Sequence, residues 1–359
     1  MLSPQDDDSD PSPKRGSCSE RFLETLAPFQ RVVLVSHVNP DPDALASMLG
    51  LRDLLEQRRT NLEVVITIDG MIARAENRLM AELVPIPYVP VEQAKVDDRT
   101  AVVMVDSQPR TGRRASEAIT PTAVLDHHET GGDLDGVRFL DIRKDIGATS
   151  TIVAGYLFEQ AISIPPSLAT ALLYGIESEI AGYPREAGRL DDQALVRLFP
   201  RADKDLLARI RNPKLPRSHF STYQHALSNA FLYQDVVVSW CGLVTQPDII
   251  AELADFFVRF DRVNWALAIG VYENLLKLSI RSASLGVHSG EVLRTVVDGM
   301  GNAGGHDKRA GGAIPLGDRT AQQIDELLHL LRSRLLSTLH VEDATGQRLV
   351  AECPLIAVP

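Results

Sequence analysis

The sequence predicts an α/β fold: a doubly wound, mostly parallel sheet domain, followed across a cleft by a smaller α/β domain at the C-terminal end. Two observations carry this. Short apolar runs at residues 31–36, 62–68, 101–105 and 122–125 alternate with segments whose apolar residues recur at helical spacing, the pattern of a parallel sheet covered on both faces. Near residues 199–216 the texture changes to Arg, Lys, Asp and Pro, and a second set of strand and helix patterns follows.

Taken in order, residues 31–36 (RVVLVS) are β-branched and continuous, as in a strand buried on both faces. Leu45, Met48, Leu49, Leu51, Leu54 and Leu55 then fall at helical spacing within residues 43–56. Further strands are predicted at 62–68, 101–105 and 122–125, and helices at 148–161 and 166–179. In the second half, 236–244, 265–271 and 276–280 read as strands and 248–258 as a helix. Residues 299–312 are glycine-rich, 321–336 are helical, and 348–356 suit a last edge strand. The organisation read from this is a disordered acidic tail (1–20), a catalytic domain (21–200), a linker (201–220), a substrate-binding domain (221–340) and a C-terminal tail (341–359).

Composition narrows the function. The 359-residue chain carries 37 Lys and Arg against 48 Asp and Glu, a formal net charge of −11, and only 5% aromatic residues. There is no basic stripe for a long duplex, so small nucleotides or short single-stranded oligonucleotides are the expected partners. Three widely separated cysteines have neither zinc-site spacing nor the look of a disulfide framework. They read as reduced thiols in a cytoplasmic protein. The sequence has no apolar run of membrane-spanning length, and its first twenty residues lack the apolar stretch of a signal peptide. A homodimer is the default assembly.

Three of the four first-half strands end in side chains able to bind metal. The first runs into His37-Val38-Asn39-Pro40-Asp41-Pro42-Asp43, the third into Asp106, and the fourth into Asp126-His127-His128. Ligands of open parallel sheets sit beyond the carboxyl ends of the strands, so these groups are expected to converge. Oxygen and imidazole donors without thiolate suit manganese, magnesium, iron or cobalt, and manganese is the expected ion, with magnesium or cobalt as alternatives. Two such ions roughly 3.5–4 Å apart can activate a shared hydroxide and clamp a phosphoryl group. Pro40 and Pro42 stiffen the loop that presents Asp41 and Asp43, and the helix starting there turns its N-terminal amides toward an anion.

These motifs resemble those of the DHH phosphoesterase superfamily. His37 to Ala44 is similar to its first motif, Val105-Asp106-Ser107 to its second and Asp126-His127-His128 to its third. Gly304-Gly305-His306 and Arg281-Ser282 resemble its DHH-associated substrate-binding domain. The resemblance covers nearly the whole chain and is closest to the two-domain, NrnA-like nanoRNase and phosphoadenosine-phosphate phosphatase type. It implies a two-metal hydrolase of short oligoribonucleotides or nucleotide bisphosphates. His37, Asp41 and Asp106 would hold one ion and Asp43, Asp106 and His127 the other. His128 would contact phosphate or nucleophile, and Asp126 would orient a histidine or the loop. Arg281, Ser282, Gly304, Gly305 and His306 would bind substrate, and Arg74 would reach phosphate from the loop after the second strand.

One departure stands out. Glu179 occupies the place of a family Asp ligand, and its extra methylene moves the carboxylate by roughly 1.5 Å. Glu179 is still counted among the metal ligands. The alternatives are a nucleotide-binding module with weakened catalysis, a cyclic-dinucleotide phosphodiesterase or a polyphosphatase.

Overall fold

The computed structural model describes residues 16–109, 120–131, 133–180, 187–284, 286–305, 308–342 and 345–350. Chain contacts divide the protein into two compact units, Met1–Pro213 and Lys214–Pro359. The division falls inside the 201–220 stretch, much of which is helical.

The first unit holds strands β1 (Arg31–Val35), β2 (Glu63–Ile68), β3 (Tyr88–Pro90), β4 (Thr100–Val105), β5 (Ala123–Asp126) and β6 (Phe139–Ile142). Its helices are α1 (Cys18–Leu26), α2 (Pro42–Arg58), α3 (Ala75–Leu83), α4 (Thr149–Glu159), α5 (Pro166–Ile180), α6 (Arg189–Leu198) and α7 (Lys204–Arg211). The sheet order is β3-β2-β1-β4-β5-β6, and every pairing is parallel. The fold is the α/β class expected from the continuous apolar runs. Two strands escape that reading, β3 and β6. Both are short edge strands whose residues alternate in exposure instead of forming a buried run.

The chain runs from β1 outward through β2 to β3, then crosses back to β4 on the other side of β1 and continues outward. That reversal opens a crevice at the carboxyl ends of β1 and β4. Helix α2 begins there. Asp41 is its N-cap and accepts the amide of Ala44 at 3.0 Å, with Pro42 in its first turn. From Pro42 to Leu51 only Ala and Gly interrupt larger buried side chains, and the helix packs against α4 and α5.

The α2–α5 approach depends on Gly175. A Cβ there would lie 2.7 Å from Ser150 Oγ, 3.1 Å from the Pro42 carbonyl oxygen and 3.2 Å from Asp43 Cα. Two of these are backbone atoms that cannot rotate away. Gly175→Ala gains helix propensity of about 1 kcal/mol, but crowding of this kind costs about 1–3 kcal/mol. A lowered urea midpoint is the expected result. An unchanged or raised midpoint would show that the contact has slack.

The second unit is a seven-stranded sheet, ordered β11-β12-β10-β9-β8-β7-β13. Its strands are β7 (Ala230–Tyr233), β8 (Val236–Leu243), β9 (Trp265–Tyr272), β10 (Leu275–Ser282), β11 (Asn302–Gly305), β12 (Arg309–Pro315) and β13 (Gln347–Arg348). Only β8 and β9 pair in parallel. Helices α8 (Arg217–Ser228), α9 (Asp248–Phe257), α10 (Ser289–Val297) and α11 (Ala321–Thr338) complete it. The glycine-rich stretch is a hairpin: Gly304 and Gly305 of β11 lie opposite Gly311 and Ala310 of β12. Among the described residues, Cys18 and Cys241 are free thiols, and no helix is long and apolar enough to cross a membrane.

Candidate metal centre

The loop after β1, the end of β4 and the end of β5 bring five sequence-predicted residues into one partly buried cluster. Asp106 is its centre, and two groups of possible ligand atoms share it. His37, Asp41 and Asp106 form one; Asp106, His127 and His128 form the other. The Oδ2 atom of Asp106 lies 3.4 Å from His37 Nε2, and its Oδ1 lies 3.4 Å from His127 Nε2 and 3.8 Å from His128 Nδ1. Each carboxylate oxygen therefore serves a different group. The backbone of Asp106 is left-handed (φ 56°), and its amide donates to the Leu125 carbonyl at 2.9 Å. Such a conformation costs a non-glycine residue roughly 1–2 kcal/mol and is tolerated by Asp because of its short polar side chain.

Hydrogen bonds settle two histidine tautomers. His37 Nδ1 is 3.0 Å from the Val38 carbonyl, which only accepts, so Nδ1 carries the proton. Its Nε2 then faces Asp106 at 3.4 Å and Asp41 Oδ2 at 3.8 Å. A lone pair aimed at carboxylates is repulsive, so either a second proton or a cation must sit between them. Burial opposes the charged imidazole, but the Asp106 hydrogen bond and the Asp41 and Asp106 charges outweigh it, and the His37 pKa is pushed up to about 10. Likewise His128 Nδ1 donates to Asp126 Oδ1 at 2.8 Å.

Asp126 was expected to orient a histidine or the loop; its Oδ1 also accepts the amides of His127 at 2.8 Å and His128 at 3.3 Å. Its other oxygen accepts Gln108 Nε2 at 2.8 Å. Gln108 is buried, also donates to the Glu129 carbonyl, and accepts the Gly131 amide through Oε1. Sequence reasoning missed Gln108. The only available signal was its place two residues after the strand-end Asp.

Asp43 is completely buried. Its Oδ2 lies 3.9 Å from His127 Nε2 but accepts the Thr149 amide at 2.7 Å, while Oδ1 accepts the Ser150 amide at 2.7 Å. Asp43 thus caps α4, whose own N-cap, Ala148, has no side chain able to do so. Burial raises the Asp43 pKa well above its ordinary value, and the charges of Asp106, Asp41 and Glu179 add to the rise. For Asp106 burial also acts upward, but the His37 hydrogen bond and the imidazoles of His128, His127 and His37 pull its pKa below the usual range. A knot of carboxylates and imidazoles without thiolate is the donor chemistry of hard and borderline divalent ions. The residues present fit such ions.

Among the described residues, the remaining candidates belong to neither of the two ligand groups. Glu179, half-buried at the end of α5, acts on Asp43 through its charge, yet belongs to neither ligand group. Arg74 precedes α3 with a left-handed backbone (φ 54°), and its charge acts on Tyr174. In the second unit, Arg281 is buried, and its guanidinium donates to Asp255 at 2.5 Å, to Ser279 Oγ at 2.8 Å and to the Ile280 carbonyl at 3.0 Å. Ser282 is fully buried and accepts the Ser284 amide. Contacts within the second unit thus engage two residues assigned to substrate. Gly304 and Gly305 are exposed on β11, and His306 lies outside the described residues.

Comparison with known proteins adds three findings. The profile of the DHH family, N-terminal domain, matches residues 31–176, and that of the DHHA1 domain matches residues 233–336. An uncharacterized protein of Methanocaldococcus jannaschii is 28% identical over 318 residues, covering 87% of this chain and 65% of its own length. The cyclic-di-AMP phosphodiesterase PdeA of Listeria monocytogenes is 23% identical over 327 residues, covering 86% of this chain and 48% of its own. The chain therefore spans less than two thirds of these curated relatives. Among solved structures, an exopolyphosphatase-related protein from Bacteroides fragilis superposes with a TM-score of 0.72 at 16% identity, covering 91% of this chain and 98% of that one. RecJ from Thermus thermophilus, solved with Mn²⁺, gives 0.50 at 15% identity, covering 91% and 55%. At these identities the likeness is one of fold.

Proposed function

Because this chain belongs to the DHH superfamily, with a DHH domain followed by a DHHA1 domain, we propose that it is a metal-dependent phosphoesterase of short oligoribonucleotides or nucleotide bisphosphates. The observation that carries the reading is the sharing of Asp106 by two ligand groups, one through each oxygen. Two divalent cations, manganese in the first instance, supply when bound the Lewis acidity that activates water and neutralises phosphoryl charge.

The chain's own residues do the rest. His37, Asp41 and Asp106 would hold one ion, and Asp106 with His127 the other, in agreement with their spacing. Asp43 lies beside His127 while fixing α4. His128, held by its Nδ1 hydrogen bond to Asp126, would accept a proton from water or contact a phosphate oxygen. Burial of the cluster keeps these charges at low effective dielectric, where they act most strongly.

Steady-state hydrolysis tests the proposal. A panel of a 3′,5′-nucleotide bisphosphate, a linear dinucleotide, a cyclic dinucleotide and polyphosphate, assayed with Mn²⁺, Mg²⁺ and Co²⁺, should give metal-dependent release from the bisphosphate or the linear dinucleotide. Release from the cyclic dinucleotide alone would move the assignment toward the activity named for the Listeria relative. Saturable nucleotide binding without turnover under every metal would instead make the protein a binding module.

Glu179 offers a second check. Glu179→Asp shortens the one carboxylate that acts on Asp43 from α5. If Glu179 reaches an ion, metal affinity should change by about tenfold and kcat should be kept or raised. Identical affinities and rates would place Glu179 outside the site.

A further inference from the structure

Thr149 is the first residue of α4, fully buried, and it touches both central carboxylates. Its amide donates to Asp43 Oδ2 at 2.7 Å, and its hydroxyl donates to Asp106 Oδ1 at 2.9 Å. These carboxylates come from the start of α2 and the end of β4, and the chain segment that joins them in space lies more than forty residues beyond Asp106 in sequence. The neighbouring residues hold that segment from the other side. The Gly147 amide donates to Asp191 Oδ2 at 2.8 Å, and the Thr151 hydroxyl donates to Asp191 Oδ1. The Ser150 hydroxyl is tied to the Asp43 carbonyl and lies 3.2 Å from Ser47 Oγ. Thr149 is therefore a fixed donor, not a rotating surface hydroxyl.

An aspartate at a strand end has one soft torsion, the rotation that exchanges its two oxygens. In this cluster the angle of that torsion matters: a half-turn only swaps two equivalent oxygens, but an intermediate angle would turn one oxygen away from His37 and the other away from His127 and His128. The Thr149 hydroxyl contacts Oδ1 only. Building on the two-ion reading above, we propose that Thr149 is a positioning residue that holds Asp106 in the rotamer assigning one oxygen to each ligand group. It thereby keeps two cation positions distinct and close. Thr149 touches no substrate in this role; it acts through Asp106.

Manganese alone is the probe. Wild-type protein titrated with Mn²⁺ should take up two ions and show the exchange-coupled electron paramagnetic resonance spectrum of a close pair. Thr149→Val removes the hydroxyl at nearly constant volume and keeps the amide bond to Asp43. It should retain the first ion, weaken the second by about 10–100-fold, and lose most of the coupled signal at equal occupancy. Thr149→Ser restores the donor and should recover the coupled spectrum. If Thr149→Val does not fold, the pair Thr149→Ala and Thr149→Ser reads the same difference. Two coupled ions of wild-type affinity in the Val or Ala variant would overturn the role of Thr149 and leave the two-ion reading intact. A wild type that never binds a coupled pair would overturn both.

Discussion

Replacing Asp106 by Asn should lower kcat for phosphate-ester hydrolysis by at least about 10³-fold, equivalent to roughly 4 kcal/mol of transition-state stabilisation, while leaving a cooperatively folded protein. The size follows from position. Asp106 is the one residue common to both ligand groups, so neutralising it weakens the hold on both ions at once. Asn is the informative replacement for a local reason. The backbone there is left-handed (φ 56°). Asn tolerates that conformation, whereas Ala would add roughly 1–2 kcal/mol of backbone cost and confuse a loss of chemistry with a loss of fold. Asn also keeps an oxygen able to accept the Thr149 hydroxyl. Turnover assays beside far-ultraviolet circular dichroism and urea unfolding separate the two effects. Near-normal turnover in a folded variant would remove Asp106 from the centre of the mechanism.

The second large effect is on pH and metal affinity. Without an ion, the His37 imidazole holds a proton between two carboxylates, with a pKa near 10 against the ordinary 6.5. A raised folded-state pKa fixes the sign. The proton stabilises the metal-free fold fully below about pH 6.5, and that contribution is lost as pH rises through about 10. A cation binding at His37 must displace this proton. Apparent affinity for Mg²⁺ should therefore climb between pH 7 and pH 9 by up to about tenfold per unit, with close to one proton released for the ion bound at His37. Calorimetry in buffers of different ionisation enthalpy measures both quantities. Affinity flat over this range with no proton release would mean that His37 is not displaced by the ion. Saturating metal should also protect the fold, by about 2.7 kcal/mol for each site held at a hundred times its dissociation constant, and a chelator should remove that protection.

These predictions draw on the sequence and the structure in different ways. The chemistry of the cluster was legible in the chain because strand ends in a parallel sheet are local features. An apolar run followed by His37, Asp106 or Asp126 needs no knowledge of distant residues to be read as a strand carrying a polar group at its carboxyl end. The same logic fails for Gln108. A buried Gln that braces Asp126 and the Glu129–Gly131 loop has no periodicity of its own, and its role exists only once β4 and β5 pair. The exposure-alternating edge strands β3 and β6 escaped for a related reason: their identity depends on the neighbour they join.

By itself the sequence determined that this protein builds a parallel α/β domain, ends its strands in carboxylates and imidazoles, and adds a second sheet-containing unit. Those properties are set by side-chain type and by periods of two to four residues. Only the tertiary structure decided that Asp43 caps α4 from another helix, that Asp106 turns one oxygen to each histidine group, and that Arg281 pairs with Asp255 within its own unit. Each of these is a hydrogen bond or ion pair between residues more than twenty positions apart. Their partners are chosen by how helices and sheet pack, and no local pattern encodes that choice.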